Sequence, residues 1–394
     1  LDPEEVSSSM IPTPVAVKAV RTYDEAEIRS AVEAALAAIG GVDDLLRPDS
    51  RAFVKINHLS PPSPPERGIV THPTFTGAVL AVVRDYTPHI TVGDDLHPST
   101  PDGFEISGYR ALAERLGVRL VNLREEGFTR VECAGVVLKE VYLARAVREA
   151  DVIIDLPKLK THSLTLFTGA VKNMYGVIPG GLRTAFHGQH KDPTEFSQLL
   201  VDIFAAAQPQ LTIMDGIVAM AGAGPANGTL RELGVILASR DAVAVDAVAS
   251  RIIGLDPLAV RTTRYAQERG LGARDVEIVG EPIATVSVAD FALPPIPAGE
   301  IVGWAPRFLT QFVTRQLAVR PQIVRRNCVG CGACARICPT GAATVTMGKA
   351  HINREICIRC MCCHEVCRFD AIALQRSPLG RALHPFARAR RRRR

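Results

Sequence analysis

Nine of the chain's ten cysteines lie between Cys328 and Cys367, and they fall into two runs of the same spacing. Cys328, Cys331, Cys334 and Cys338 form C-x2-C-x2-C-x3-C ahead of Pro339, and Cys357, Cys360, Cys363 and Cys367 repeat the pattern 29 residues later. Few sequence features restrict a fold so tightly. Three thiolates with two residues between them wrap one corner of an iron-sulfur cubane, and the fourth, entering a helix, reaches the neighbouring cubane. By that rule Cys328, Cys331, Cys334 and Cys367 hold one [4Fe-4S] cluster, and Cys338, Cys357, Cys360 and Cys363 hold a second. Zinc is the competing reading, but its tetrahedral sites usually split their ligands into two separated pairs.

The spacing resembles that of the bacterial two-cluster ferredoxins. Each run is followed by a short apolar segment (342–345 and 371–374), as expected of two pseudosymmetric halves that each supply a strand. Gly330, Gly332 and Ala333 are small enough to let backbone N–H groups approach the sulfides. Two departures stand out: Arg368 replaces the second proline, and Cys362 is a ninth cysteine, read either as a bystander thiol or as one that exchanges with Cys363.

With 394 residues, 47% hydrophobic and 22% charged, the chain has room for a large core besides this small module, and its composition is neither disordered nor membranous. The richest apolar stretch, 233–254, is broken by Arg240, Asp241, Asp246 and Arg251, so no transmembrane segment is expected. Six of the last seven residues are Arg, which leaves the rest of the chain at −1 against a total of +5. A nucleic-acid-binding body is therefore disfavoured. The opening LDPEEVSSSM has no apolar signal core, so a cytoplasmic location is expected, where clustered cysteines point to metal rather than disulfides. The first residue is Leu, which leaves the natural N-terminus open.

Short apolar runs alternate with helix-period stretches up to about residue 280. Runs at 52–56, 89–94, 118–123, 151–157, 211–216 and 234–239 read as strands; stretches at 24–38, 73–86, 109–116, 193–207 and 241–253 read as helices. Such alternation predicts an α/β domain built on a mostly parallel sheet, with the small α+β ferredoxin-like domain at the C-terminus. The expected organisation is an α/β domain over 1–290, a linker and helix over 291–322, the two-cluster domain over 323–376, and a basic, disordered tail over 377–394. A membrane-surface role for the helix at 304–317 is weighed against packing on its own protein, which is the commoner case.

Four stretches in the large domain, VKIN (54–57), DVIIDLPKLKTHSLTLFTGAVKNMYGVIPG (151–180), MDGIVAMAGAGP (214–225) and RDAVAVDAVAS (240–250), resemble the domain-of-unknown-function family 362. That resemblance covers about 53–280. It implies an architecture and an association with iron-sulfur modules fused at the C-terminus, but brings no defined substrate. The chemistry has to come from the residues.

Lys158, Lys160 and His162 follow the strand at 151–157, with Lys172 and Asn173 further on beside Gly176, Gly180 and Gly181. Ligands of open α/β sheets gather at the carboxyl ends of strands, and cations beside glycines suit a carboxylate or phosphate. Lys158, Lys160, His162 and Lys172 are accordingly the candidate catalytic residues, with solvated loop lysines as the bland alternative. Lys55 and Asn57, His72, Asp94 with Asp95, and Asp215 end or follow other strands and are candidates to ring the same pocket. Helix-capping or turn roles are the alternative for each Asp. His187 and His190 invite a metal reading, without a third ligand motif to support it. Gly222-Ala-Gly224 lacks the third glycine of a dinucleotide fingerprint.

These features lead to an iron-sulfur oxidoreductase that relays electrons between a donor or acceptor protein and a small anionic substrate or cofactor in the α/β domain. The alternative is a non-catalytic electron-transfer or assembly protein whose α/β domain is a docking platform. A redox-sensing regulator has no support beyond the Arg tail. Anaerobically purified protein is expected to carry about eight iron and about eight acid-labile sulfide per chain; half that content, or zinc in its place, would show the assignment of two cubanes to be wrong.

Overall fold

The structure is a computed structural model that describes residues 12–59, 62–96, 102–162, 164–190, 192–288, 290–293 and 320–375. The helix expected at 304–317, most of the linker and the Arg-rich tail lie outside the described residues.

The strands in chain order are β1 (Thr13–Ala19), β2 (Ala52–Ile56), β3 (Ile90–Asp94), β4 (Arg119–Asn122), β5 (Phe128–Glu132), β6 (Glu140–Ala144), β7 (Val152–Leu156), β8 (Lys158–His162), β9 (Leu166–Thr168), β10 (Leu211–Ala221), β11 (Thr229–Ser239) and β12 (Val276–Gly280), followed by β13 (Arg320–Ile323), β14 (Ala343–Thr346), β15 (Lys349–Ile352) and β16 (Ile372–Gln375). One large sheet runs β12-β1-β11-β10-β7-β2-β3-β4. From β10 to β4 every neighbouring pair is parallel, while β11 runs antiparallel to both β10 and β1. The sheet is thus mostly parallel and mixed, and helices cover both faces. β2 and β7 are buried at every position, which is why they read as apolar runs broken only by Lys55 and Asp155.

Helix starts follow local capping chemistry. Asp24, Asp192 and Asp241 each accept hydrogen bonds from backbone amides two or three residues on, and Pro73 and Pro193 occupy first-turn positions that need no N–H. The C-terminal module consists of the antiparallel pairs β13–β16 and β14–β15 with the short helices Ala333–Ile337 and Cys362–Glu365. Among the described residues no helix is long and apolar enough to cross a membrane.

One departure from the expected layout matters for the site. Residues 158–162 form a strand rather than a loop. Pro157 ends β7, its carbonyl accepts the Asp215 amide at 2.9 Å, and β8 then runs alongside β10 with Lys158 opposite Asp215. Alternation puts Lys158, Lys160 and His162 on one face and Leu159 and Thr161 on the other, and all five residues are buried.

Asp246, on helix Ala242–Ile252, positions the segment that carries Lys172 and Asn173. Its carboxylate accepts the amides of Ala170 (2.6 Å) and Val171 (3.1 Å), capping helix Ala170–Asn173, which has no side-chain cap of its own. Gly169 is required beside it, since a Cβ there would stand 2.0 Å from Asp246 Oδ1. Burial pushes the Asp246 carboxyl up to about 7 despite the two amides. The folded chain therefore holds a proton that the unfolded chain, with a carboxyl near 3.9, releases. This contribution to stability is whole below about pH 4 and is lost as pH rises through about 7. Asp246→Asn is expected to destabilise the protein by about 1–3 kcal/mol at acid pH. It should also shrink the loss of stability between about pH 5 and about pH 8, measured by anaerobic urea unfolding.

Candidate functional site

A cavity of about 520 Å³ lies between the strand ends of the large sheet and the two short helices of the cysteine module. That volume suits a small ligand. Lys55, Asn57, Asp94 and Asp95, at or just beyond the carboxyl ends of β2 and β3, form one wall. Lys172, Asn173, Gly176, Gly180, Gly181, Arg183 and His187 form a second, and Arg336, Ile337, Cys362, Glu365 and Val366 close the cavity from the module.

The floor is a row of buried polar contacts. Lys55 Nζ lies 2.8 Å from Asp94 Oδ2 with both side chains sealed from solvent. Asn57 donates to Asn173 Oδ1 (2.9 Å), and Asn173 donates to Asp155 Oδ1 (2.7 Å). Lys160 Nζ donates to Asn57 Oδ1 (2.5 Å) and to the Ile69 carbonyl (2.6 Å), with no carboxylate in pairing range among the described residues. Burial, then the neighbouring Lys172 and Lys158, hold the Lys160 ammonium well below the usual lysine range. Burial likewise drives Asp155 well above the carboxylate range, and its Oδ2 has no hydrogen-bond partner.

The candidate residues part company here. Lys172 lines the cavity, and among the described residues it makes no hydrogen bond or ion pair. Burial lowers its pKa, and Glu365 partly offsets that. Lys158 does not line the cavity. It donates to Tyr23 Oη (2.6 Å) and Asp215 Oδ2 (2.7 Å), Tyr23 stacks on His72 at 3.7 Å, and the His72 amide donates to Asp215. Buried Lys158 and Asp215 and half-buried His72 thus form a separate cluster, apart from the ring of cavity residues that Lys55, Asn57, Asp94 and Asn173 do join.

His162 faces the module. Its Nδ1 accepts the amides of Leu164 (3.1 Å) and Thr165 (3.3 Å), so the ring proton sits on Nε2, 3.2 Å from Glu365 Oε1 though off the line of a good hydrogen bond. Burial draws His162 down to about 4. Burial alone would raise Glu365, but His162, Lys172 and His187 outweigh it and bring its carboxyl to about 2. His190 pairs with Glu195 at 3.0 Å, away from His187, which has an unpartnered Nδ1 and is lowered by burial to about 4.

Sequence reasoning missed Asp95, Arg124 and Arg183 as a unit. Asp95 is buried and accepts from Arg124 Nε (2.6 Å) and from Arg183. It also passed over Arg336 and Glu365, which stand at equivalent places in the cysteine duplication, 29 residues apart. That offset was the signal available for them.

In the module, Cys328, Cys331, Cys334 and Cys367 line one small cavity with Gly330 and Gly332, around a common space rather than a single ion position. Cys357 neighbours Cys360 and Cys338, and Cys363 neighbours those three and Cys334. Backbone amides of Ala350, Ala371 and Ala343 donate to the sulfurs of Cys328, Cys367 and Cys338 at 3.2–3.4 Å. A cage of thiols with amide donors fits an iron-sulfur cluster. Cys362 occupies the place of Ala333 in the first run; its thiol donates to the Cys360 carbonyl, and the residue lines the cavity.

Fold and site together define an iron-sulfur protein in which a mostly parallel α/β domain and a ferredoxin-like module share a cavity. The family described as Domain of unknown function (DUF362) matches residues 53–251, and the 4Fe-4S binding domain matches residues 321–344. The chain belongs to the DUF362 family. It is 30% identical over 260 residues to the thylakoid-associated protein sll1697 of Synechocystis sp., covering 66% of this chain and 80% of that protein. Two solved structures are more distantly similar. The lactate racemase apoprotein from Thermoanaerobacterium thermosaccharolyticum is 13% identical with a TM-score of 0.40, over 60% of this chain and 56% of that one. A Thermotoga maritima protein is 11% identical with a TM-score of 0.36, over 62% and 59%.

Asp95→Ala would leave two guanidinium groups facing each other at the cavity wall. A loss of about 3 kcal/mol is expected, at the low end for a broken buried pair because both Arg side chains are about a quarter exposed. Anaerobic denaturant unfolding measures it; an unchanged midpoint would mean that Asp95 does not hold the wall.

Proposed function

We propose that this chain is an oxidoreductase that holds two [4Fe-4S] clusters and exchanges single electrons with a small anionic ligand in the cavity shared by its two parts. The observation that carries this reading is the cavity itself, walled on one side by polar strand ends and on the other by both cysteine-bearing helices. For the second cluster, the support is the repeated spacing and a matching backbone. Arg359 and Met361 adopt the same left-handed conformation as Gly330 and Gly332 of the first run. When bound, the clusters supply one-electron storage and transfer.

The chain's own residues do the rest. Lys172, without a partner among the described residues, attracts the anionic group, and Arg183 and the N-terminal amides of helix Gly180–Gln189 orient it. Gly181 leaves that approach open, since a Cβ there would meet nothing within 4 Å. His187 lines the cavity as a neutral imidazole, a group that can take a proton from the ligand or return it. Glu365 and His162 hold the module against the sheet. An electron donor or acceptor protein completes the circuit.

The test uses full-length, cluster-loaded protein, with inorganic phosphate and oxalate as probes. Both are expected to bind and to shift the EPR spectrum of the reduced protein. Lys172→Met is expected to weaken binding about tenfold to a hundredfold, the worth of one charge-assisted hydrogen bond, with iron content unchanged. Equal binding by the variant, or no binding by the wild type, would refute the cavity reading and favour a docking platform.

A further inference from the structure

Exposed large apolar side chains gather unusually on the cysteine module. Met347 is 98% exposed at the β14–β15 turn, Val329 is 58% exposed between Cys328 and Cys331, and Cys331 itself is exposed. These positions are neighbours. A Cβ on Gly330 would lie 2.3 Å from the Gly348 carbonyl oxygen, so the turn packs directly on the first cysteine run. Lys349 binds the carbonyls of Cys328 (2.6 Å) and Arg325 (3.3 Å), which brings Arg325 and the exposed Arg326 to the edge of the same patch.

Charge along this stretch of the chain has one sign. Residues 320–354 contain Arg320, Arg325, Arg326, Arg336, Lys349 and Arg354 and no Asp or Glu. An apolar centre with a basic rim, laid over exposed Cys331, meets the two demands of a transient redox contact. It allows close approach to the cluster edge, and its field steers an oppositely charged partner.

We infer that Met347, Val329, Arg325 and Arg326 form the docking face for an acidic one-electron carrier protein of the ferredoxin class. This rests on the two-cluster reading above. One electron leaves the reduced carrier, which is oxidised by one, and enters the cluster held by Cys328, Cys331, Cys334 and Cys367, which is reduced by one; no bond or proton changes hands. Cys362, next to the ligand Cys363, lines the ligand cavity, and neither Met347 nor Val329 does. The carrier and the ligand therefore meet different surfaces of the module.

The experiment mixes full-length, cluster-loaded protein with a reduced acidic plant-type [2Fe-2S] ferredoxin in an anaerobic stopped-flow instrument, and measures complex formation by calorimetry. Met347→Glu and Arg326→Glu, compared with wild type at equal iron content, are each expected to slow electron transfer and weaken binding about tenfold. The Arg326 effect should fade as salt rises. Tyr142→Glu, at an exposed aromatic residue on β6, serves as the control with no effect. Phosphate binding is followed in the same samples. Slowed transfer with phosphate binding intact supports the face; wild-type transfer and binding in both face variants overturns it and leaves the cavity reading standing.

Discussion

The cavity depends on a sealed ion pair. Lys55 and Asp94 sit at the ends of adjacent parallel strands, 2.8 Å apart and out of reach of water. A buried charge without its partner costs about 3–5 kcal/mol, so neither residue is tolerable alone. Together they let two strand ends carry charge into a dry interface. Gly176 packs over them, where a Cβ would fall 2.6 Å from Asp94 and 2.8 Å from Lys55 Nζ. The Asn57–Asn173–Asp155 row continues the same floor with neutral donors and acceptors. Lys172, in the wall beside this floor, is a cation that no acid among the described residues pairs with directly.

On the opposite wall, the cysteine duplication departs from symmetry where it meets the large domain. Arg336 and Glu365 are equivalent in the repeat and opposite in charge, and both line the cavity. Ala333 is matched by Cys362, and Gly330 and Gly332 by Arg359 and Met361. The left-handed backbone costs a side chain about 1–2 kcal/mol relative to glycine. The second run accepts that strain twice. Its helix gains in return the Glu365 contact with His162 and the His364 contact with the Ala223 carbonyl at 3.2 Å, which fasten the module to the sheet domain.

Much of the fold was legible in short stretches of chain. Alternating apolar runs and helix-period segments located the strands of the parallel core and five helices of the large domain, because burial on both faces and capping by Asp24, Asp192 and Asp241 are local matters. β1 and β12 escaped notice; they pair with each other, and β1 pairs with β11, across long stretches of sequence. Residues 158–162 read as a charged loop because lysine is rarely a buried strand residue, yet β10 supplies both the backbone partner and Asp215.

By itself the sequence determined the cysteine spacing, the α/β alternation and the set of cations able to meet an anion, since each is a periodicity or composition within a few dozen residues. Only the tertiary structure decided which of those cations were spent. Lys158 is neutralised by Asp215, 57 residues away, Lys160 lies among neutral acceptors, and Lys172 alone of the three faces open space. The reason is physical: an ion pair depends on distance in space, and the counter-charges come from strands and helices that meet only when the sheet assembles.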